Sequence, residues 1–180
     1  SLKNCVALVA GASRGAGRGI ALALGEAGAT VYVMGRTTRG GQKPADGASG
    51  TIDDTAEEVT ARGGAGIPVR VDGRIESDVA ALFERICSEH RRLDVLANAV
   101  WGGPDAFPGS TDEWLGSWGK PFWEQPSNLW EHMMNGGPGA YLLTSMHAMR
   151  MMAPAGRGLI VGVTDGIMDG KEVAAEPDFT

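Results

Sequence analysis

Apolar positions fall in two alternating rhythms along the chain. Short apolar runs at Cys5–Ala10, Val31–Met34, Ile67–Val71, Val95–Ala97 and Leu159–Val163 read as strands buried on both faces. Between them, apolar residues recur every three or four positions, the period of a helix packed on one side. Ile20, Ala23, Leu24 and Ala27 form one such face, which stops at Gly28; Val79, Leu82, Phe83 and Ile86 form another. Thr51 stands as the N-cap of a helix running to Arg62, ahead of Gly63 and Gly64. A last helix is predicted over 129–152, kinked by Gly136-Gly137-Pro138-Gly139. Strands alternating with helices imply a parallel sheet covered on both faces, an α/β doubly wound fold of Rossmann type. Its expected strand order is 3-2-1-4-5, with a ligand crevice between strands one and four.

Two connections are unusually long for such a fold. One, residues 37–50, is glycine-rich. The other, residues 101–126, is tryptophan-rich: Trp101, Trp114, Trp118, Trp123 and Trp130 all lie in it or just beyond it. It borders the substrate side of the expected crevice, so an aromatic lid over a bulky apolar substrate is one reading, and packing of the loop on itself is the other.

Composition narrows the function classes. The 180 residues carry a net charge of −6 with lysine and arginine scattered, which argues against a nucleic-acid partner. No run approaches the roughly 20 apolar residues of a membrane span, and no secretory signal precedes the first strand, so a soluble cytoplasmic protein is expected. Cys5 and Cys87 have neither disulfide-framework nor metal-ligand spacing. His90, His132 and His147 lack a second ligand at metal spacing, and no metal site is expected.

The chemistry is concentrated where the first strand empties into Gly11-Ala12-Ser13-Arg14-Gly15-Ala16-Gly17 and then into a helix. Closely spaced glycines let a backbone approach a pyrophosphate, and the helix N-terminus offers it unpaired N–H groups. The acidic residue that would accept ribose hydroxyls after strand two is missing, and Arg36 stands there. A guanidinium at that point suits a 2′-phosphate, with Arg14 able to assist from the glycine turn.

This turn resembles the cofactor turn of the short-chain dehydrogenase/reductase family, as do Asp72-Gly73 after strand three and Leu96-Ala97-Asn98-Ala99 at the end of strand four. The segment Lys120–Pro126 is similar to one branch of that family. The resemblance implies that Gly11, Ser13, Arg14, Gly15, Ala16 and Gly17 hold the pyrophosphate and that Asp72, with Gly73 beside it, accepts from the adenine amine. It also implies that Asn98 stabilises the central sheet and, with Ala99, borders the adenosine, Ala99 replacing a family asparagine, and that Arg14 with Arg36 favours NADP(H) over NAD(H). The substrate implied is a small-molecule carbonyl or alcohol that exchanges a hydride with the nicotinamide. The helix carrying Met133, Met134, Met146, Met149, Met151 and Met152 would build a homodimer or homotetramer, or else pack as ordinary core.

The catalytic set is incomplete. Asn135 matches the family asparagine that holds a relay water. Thr164 and Asp165 fall where two family serines sit, and Asp165 occupies the place of the catalytic one. An ionised aspartate accepts hydrogen bonds but donates none. Either Thr164 takes the role, or Asp165 is protonated in a dry pocket, or the chemistry differs. The family's tyrosine, followed four residues later by lysine, is absent, since Tyr32 and Tyr141 are the only tyrosines. Residues 1–180 therefore read as one NAD(P)-binding domain and the first part of a longer protein; by themselves they lack the family's last strands and are expected to be inactive. Two functions fit: an NADP-dependent oxidoreductase as the complete protein, or a dinucleotide-binding sensor or scaffold without redox activity.

Overall fold

A computed structural model describes residues 1–41, 49–102, 116–117 and 119–164. Five strands make up its sheet: β1 (Val6–Ala10), β2 (Thr30–Gly35), β3 (Ala65–Arg70), β4 (Val95–Asn98) and β5 (Leu159–Gly162). They pair in parallel in the order β3-β2-β1-β4-β5. The helices are α1 (Gly15–Glu26), α2 (Ile52–Ala61), α3 (Glu76–His90), α4 (Ser127–Met134) and α5 (Ala140–Ala155). This is the doubly wound, Rossmann-type arrangement that the alternation of apolar runs predicts.

Side chains alternating along the central strands build a core on each face. Leu8, Tyr32, Met34 and Leu96 point to one side, where they meet Val79, Leu82, Phe83 and Ile86 of α3 and Ala148 and Met152 of α5. Val9, Val31, Val33 and Ala97 point to the other, against Ala21 and Leu22 of α1 and Ile52, Ala56 and Val59 of α2. The period of two along the strands and the 3.6-residue period of the helices thus close on the same two layers. Each fully buried aliphatic side chain contributes about 1.5–3 kcal/mol of transfer free energy.

The punctuation follows from local chemistry. Gly28 ends the α1 turn with φ +92°, a conformation that favours glycine. The Thr51 hydroxyl accepts from the Asp54 amide at 3.0 Å and caps α2. Two elements differ from expectation. The third strand begins at Ala65 and ends at Arg70, because Thr30 pairs with Ala65 and Gly35 with Arg70. It is an edge strand and carries Pro68, so its apolar pattern is interrupted where edge strands tolerate interruption. The glycine-rich kink in the long helix is a π-helical turn, Asn135–Gly139, that joins α4 to α5 without breaking the spiral. Asn135 has helical φ −74° and ψ −38°, so it does not terminate the helix.

The methionines of that helix divide. Met152 is buried in the core, while Met146 and Met149 are exposed beside Leu142. Phe122, Trp123 and Trp130 are also exposed, and Trp114 and Trp118 lie outside the described residues. Among the described residues no helix is long and apolar enough to cross a membrane.

Candidate functional site

The carboxyl ends of β1, β2, β3 and β4 open onto a cleft of about 250 Å³. Its walls come from the turn after β1, the ends of β2 and β3, the loop after β4 and the π turn. Gly11, Ser13, Arg14, Gly15, Ala16 and Gly17 line one side. Arg36, Asp72, Gly73 and Ala99, the other residues singled out in the sequence at these strand ends, line it too.

The glycine turn is held by close backbone contact. A Cβ on Gly17 would stand 2.3 Å from the Gly11 carbonyl oxygen, and one on Gly11 would stand 2.5 Å from the carbonyl oxygen of Ala99, with φ there at +80°. The Gly11 and Ala12 amides both donate to the Met34 carbonyl, each at 3.0 Å, which locks the turn to β2. Arg14 precedes α1 in extended conformation, and its side chain does not cap the helix. The α1 N-terminus, with its first N–H groups and the positive end of its dipole, opens on the cleft, an arrangement suited to an anion. These glycine contacts and this helix N-terminus fit a pyrophosphate, and the basic residues Arg14 and Arg36 fit a further phosphate.

At the end of β2 the strand finishes in Gly35, and Arg36 follows, exposed to the cleft. Across from it, Arg74 grips Asp72 as a fork: Nε donates to Oδ1 at 2.9 Å and Nη2 to Oδ2 at 2.6 Å. The Arg74 amide also donates to Oδ1, at 3.1 Å. Burial by itself would raise the Asp72 carboxyl, but the Arg74 hydrogen bonds and charge, aided by Arg36, outweigh it and hold the group below the usual carboxylate range. Arg74, Thr37, Val100, Gly102 and Gly136 are lining residues that sequence reasoning missed, while Trp101, expected to border the crevice, lines it too. For Arg74 a signal existed, because Asp-Gly-Arg after a strand is an Asx-turn pattern that folds the third residue back on the first.

Asn98 is not in the cleft wall. It is buried beneath it, where the Thr144 hydroxyl lies 2.9 Å from its Oδ1 and its Nδ2 donates to Ser145 Oγ at 3.3 Å. Its role in the structure is to tie β4 to α5. Replacing Thr144 by valine keeps the shape and removes the donor that faces the buried Asn98 oxygen. Stability should fall by about 1–3 kcal/mol, read as a lower urea midpoint with unchanged slope. A midpoint equal to the parent's would contradict this tie.

Asn135 and Thr164 are not among the residues that line the cleft. Asn135 opens the π turn and is exposed, and its neighbour Gly136 lines the cleft. Gly102 and Gly136 touch backbone to backbone: a Cβ on Gly136 would stand 2.6 Å from the Gly102 Cα. Turns of this type recur at functional sites. Thr164 lies just past β5, exposed, where the Val163 amide donates to the Asn98 carbonyl at 2.8 Å and Tyr141 donates to the Val163 carbonyl at 2.5 Å. Asp165 lies outside the described residues. Tyr32 is buried and donates to Glu89, and burial, followed by that hydrogen bond and the Glu89 charge, pushes its phenol well above the usual range. Among the described residues no group of histidine, cysteine and carboxylate side chains could hold a metal ion.

The family model for short chain dehydrogenase matches residues 5–170. The chain is 42% identical over 164 residues to dehydrogenase/reductase SDR family member 1 of Mus musculus, covering 91% of this chain and 47% of that protein. Against its Homo sapiens counterpart the identity is 39% over 160 residues, covering 88% and 45%. The chain thus spans about half the length of the curated relatives it matches. Among solved structures, a metagenomic short-chain oxidoreductase in complex with NADP superposes with TM-score 0.72 at 26% identity, covering 92% of this chain and 64% of that one.

Proposed function

The chain belongs to the short chain dehydrogenase family, and from that premise we propose that the complete protein is an NADP(H)-dependent oxidoreductase acting on a small-molecule carbonyl or alcohol. The observation that carries the cofactor choice is the end of β2, where Arg36, not an acidic residue, follows Gly35 and lines the same cleft as Arg14. Gly11, Gly15 and Gly17 admit the pyrophosphate, Ser13 and Arg14 flank it, and Arg36 with Arg14 takes the 2′-phosphate. When bound, the nicotinamide supplies or accepts the hydride. The protein's own residues position the substrate oxygen and its proton. Thr164 can donate a hydrogen bond to that oxygen, and Asn135 holds the water through which the proton is relayed. In this reading the general acid is contributed outside the described residues, since Tyr32 and Tyr141 donate to Glu89 and to Val163.

A charge-assisted contact to phosphate is worth roughly 1.5–3 kcal/mol, about tenfold to a hundredfold in affinity. Titration followed by nicotinamide fluorescence should therefore find NADPH bound more tightly than NADH by that factor; equal affinities would contradict the assignment. Asn135→Ala in the complete protein should lower turnover by about tenfold or more, within the range of proton-transfer catalysis, while NADPH affinity stays nearly unchanged. Parental turnover in that variant would return Asn135 to a purely structural role.

A further inference from the structure

The Arg74–Asp72 fork is not explained by the fold. It sits in the cleft wall, both groups are partly shielded, and the pair joins two residues of one turn and so tethers no separate element. Three hydrogen bonds from one residue converge on this single carboxylate, two from the guanidinium and one from the backbone amide. They fix the plane of the carboxylate and keep it ionised. The Asp72 amide in turn donates to Asp78 Oδ2 of α3 at 3.4 Å, and Arg36 faces the same group from the end of β2.

We propose that Arg74 is a positioning residue for base selection: by holding Asp72 as an oriented carboxylate, it makes the cleft choose a 6-aminopurine nucleotide over a 6-oxopurine one. The inference rests on the dinucleotide reading of the cleft. A carboxylate only accepts hydrogen bonds, so it pairs with the exocyclic amine of adenine and opposes the carbonyl oxygen of hypoxanthine or guanine. Discrimination of this kind is large because the wrong base leaves a buried polar group facing its own kind. Without Arg74, the carboxyl is free to turn. A carboxylate that turns away neither accepts from the amine nor opposes a 6-oxo oxygen.

The test uses NADPH and its hypoxanthine analogue, reduced nicotinamide hypoxanthine dinucleotide phosphate, titrated against the protein and against Arg74→Met and Arg74→Lys. The unmodified protein should prefer the adenine form by about tenfold or more. Arg74→Met should bring that ratio close to one, and Arg74→Lys, which retains one charged donor, should restore part of it. A ratio in Arg74→Met equal to the parent's overturns the proposal, as does an equal loss of affinity for both nucleotides, since that is what a merely structural role gives. Parental preference in Arg74→Met with NADPH still bound leaves the dinucleotide reading standing, whereas failure of the unmodified protein to bind either nucleotide overturns both. Should Arg74→Met not fold, a ratio in Arg74→Lys no different from the parent's would decide against the proposal, and a reduced ratio in favour.

Discussion

Exchange of Arg36 for aspartate is expected to reverse the cofactor preference, weakening NADPH by about a hundredfold and strengthening NADH. Two effects act together. Loss of the guanidinium removes a charge-assisted contact worth about 1.5–3 kcal/mol, and the new carboxylate repels a 2′-phosphate by about 1–4 kcal/mol at 4 Å, depending on how wet the site is. The same carboxylate accepts hydrogen bonds from the free ribose hydroxyls of NADH, the arrangement found in NAD-binding members of this fold. Arg14, which lines the same cleft, limits the loss for NADPH. Arg36 is exposed and follows the end of β2, so the fold should tolerate the change to within about 0.5 kcal/mol. Binding titrations of both cofactors check the outcome; an unchanged ratio would remove Arg36 from the phosphate subsite.

The second large effect is expected from Gly17→Val. A Cβ at this position would stand 2.3 Å from the Gly11 carbonyl oxygen and 2.8 Å from its carbon, both backbone atoms of a turn locked to β2. No rotamer change relieves that clash, so the turn must open and the α1 N-terminus must move away from the cleft. Binding of NADPH and of NADH should both fall below detection, with a loss of stability of about 1–3 kcal/mol from overpacking. Gly15→Ala is the informative control. Nothing lies within 4 Å of a Cβ there, and only its φ of +56° opposes the change, so about 1 kcal/mol of backbone strain is expected and most binding should survive. Near-normal affinity in Gly17→Val would show that the turn does not hold the pyrophosphate.

Much of this molecule is written in short-range patterns. The alternation Leu8/Val9/Ala10 and Val31/Tyr32/Val33 assigns each strand residue to one of the two cores, the glycine after α1 and the threonine before α2 mark helix ends, and the strand order follows from the alternation of elements. The residues quoted from the glycine turn and from the ends of β2 and β3 meet in one cleft because a parallel sheet gathers the carboxyl ends of its strands along one edge. What escaped notice depends on side chains meeting through the fold. Thr144 finds Asn98 across 46 residues of chain. Asn98 consequently lies under the cleft floor and not in its wall. The Gly-Gly-Pro-Gly segment reads as a kink in one long helix, but the sequence does not show that the kink is a π turn that carries the proline and lets Gly136 touch Gly102. Arg74 carries no periodic signal, and only the folded Asx-turn shows that its charge is spent on Asp72 and not on solvent.

The account stands or falls on where a dinucleotide lies in this cleft, and a crystal structure of the protein grown with NADP⁺ measures that directly. The pyrophosphate should rest on the Gly11–Gly17 backbone, the 2′-phosphate within hydrogen-bond reach of Arg36, and the adenine amine against the Asp72 carboxylate held by Arg74. A dinucleotide seated elsewhere, or a 2′-phosphate turned away from both Arg14 and Arg36, would contradict it.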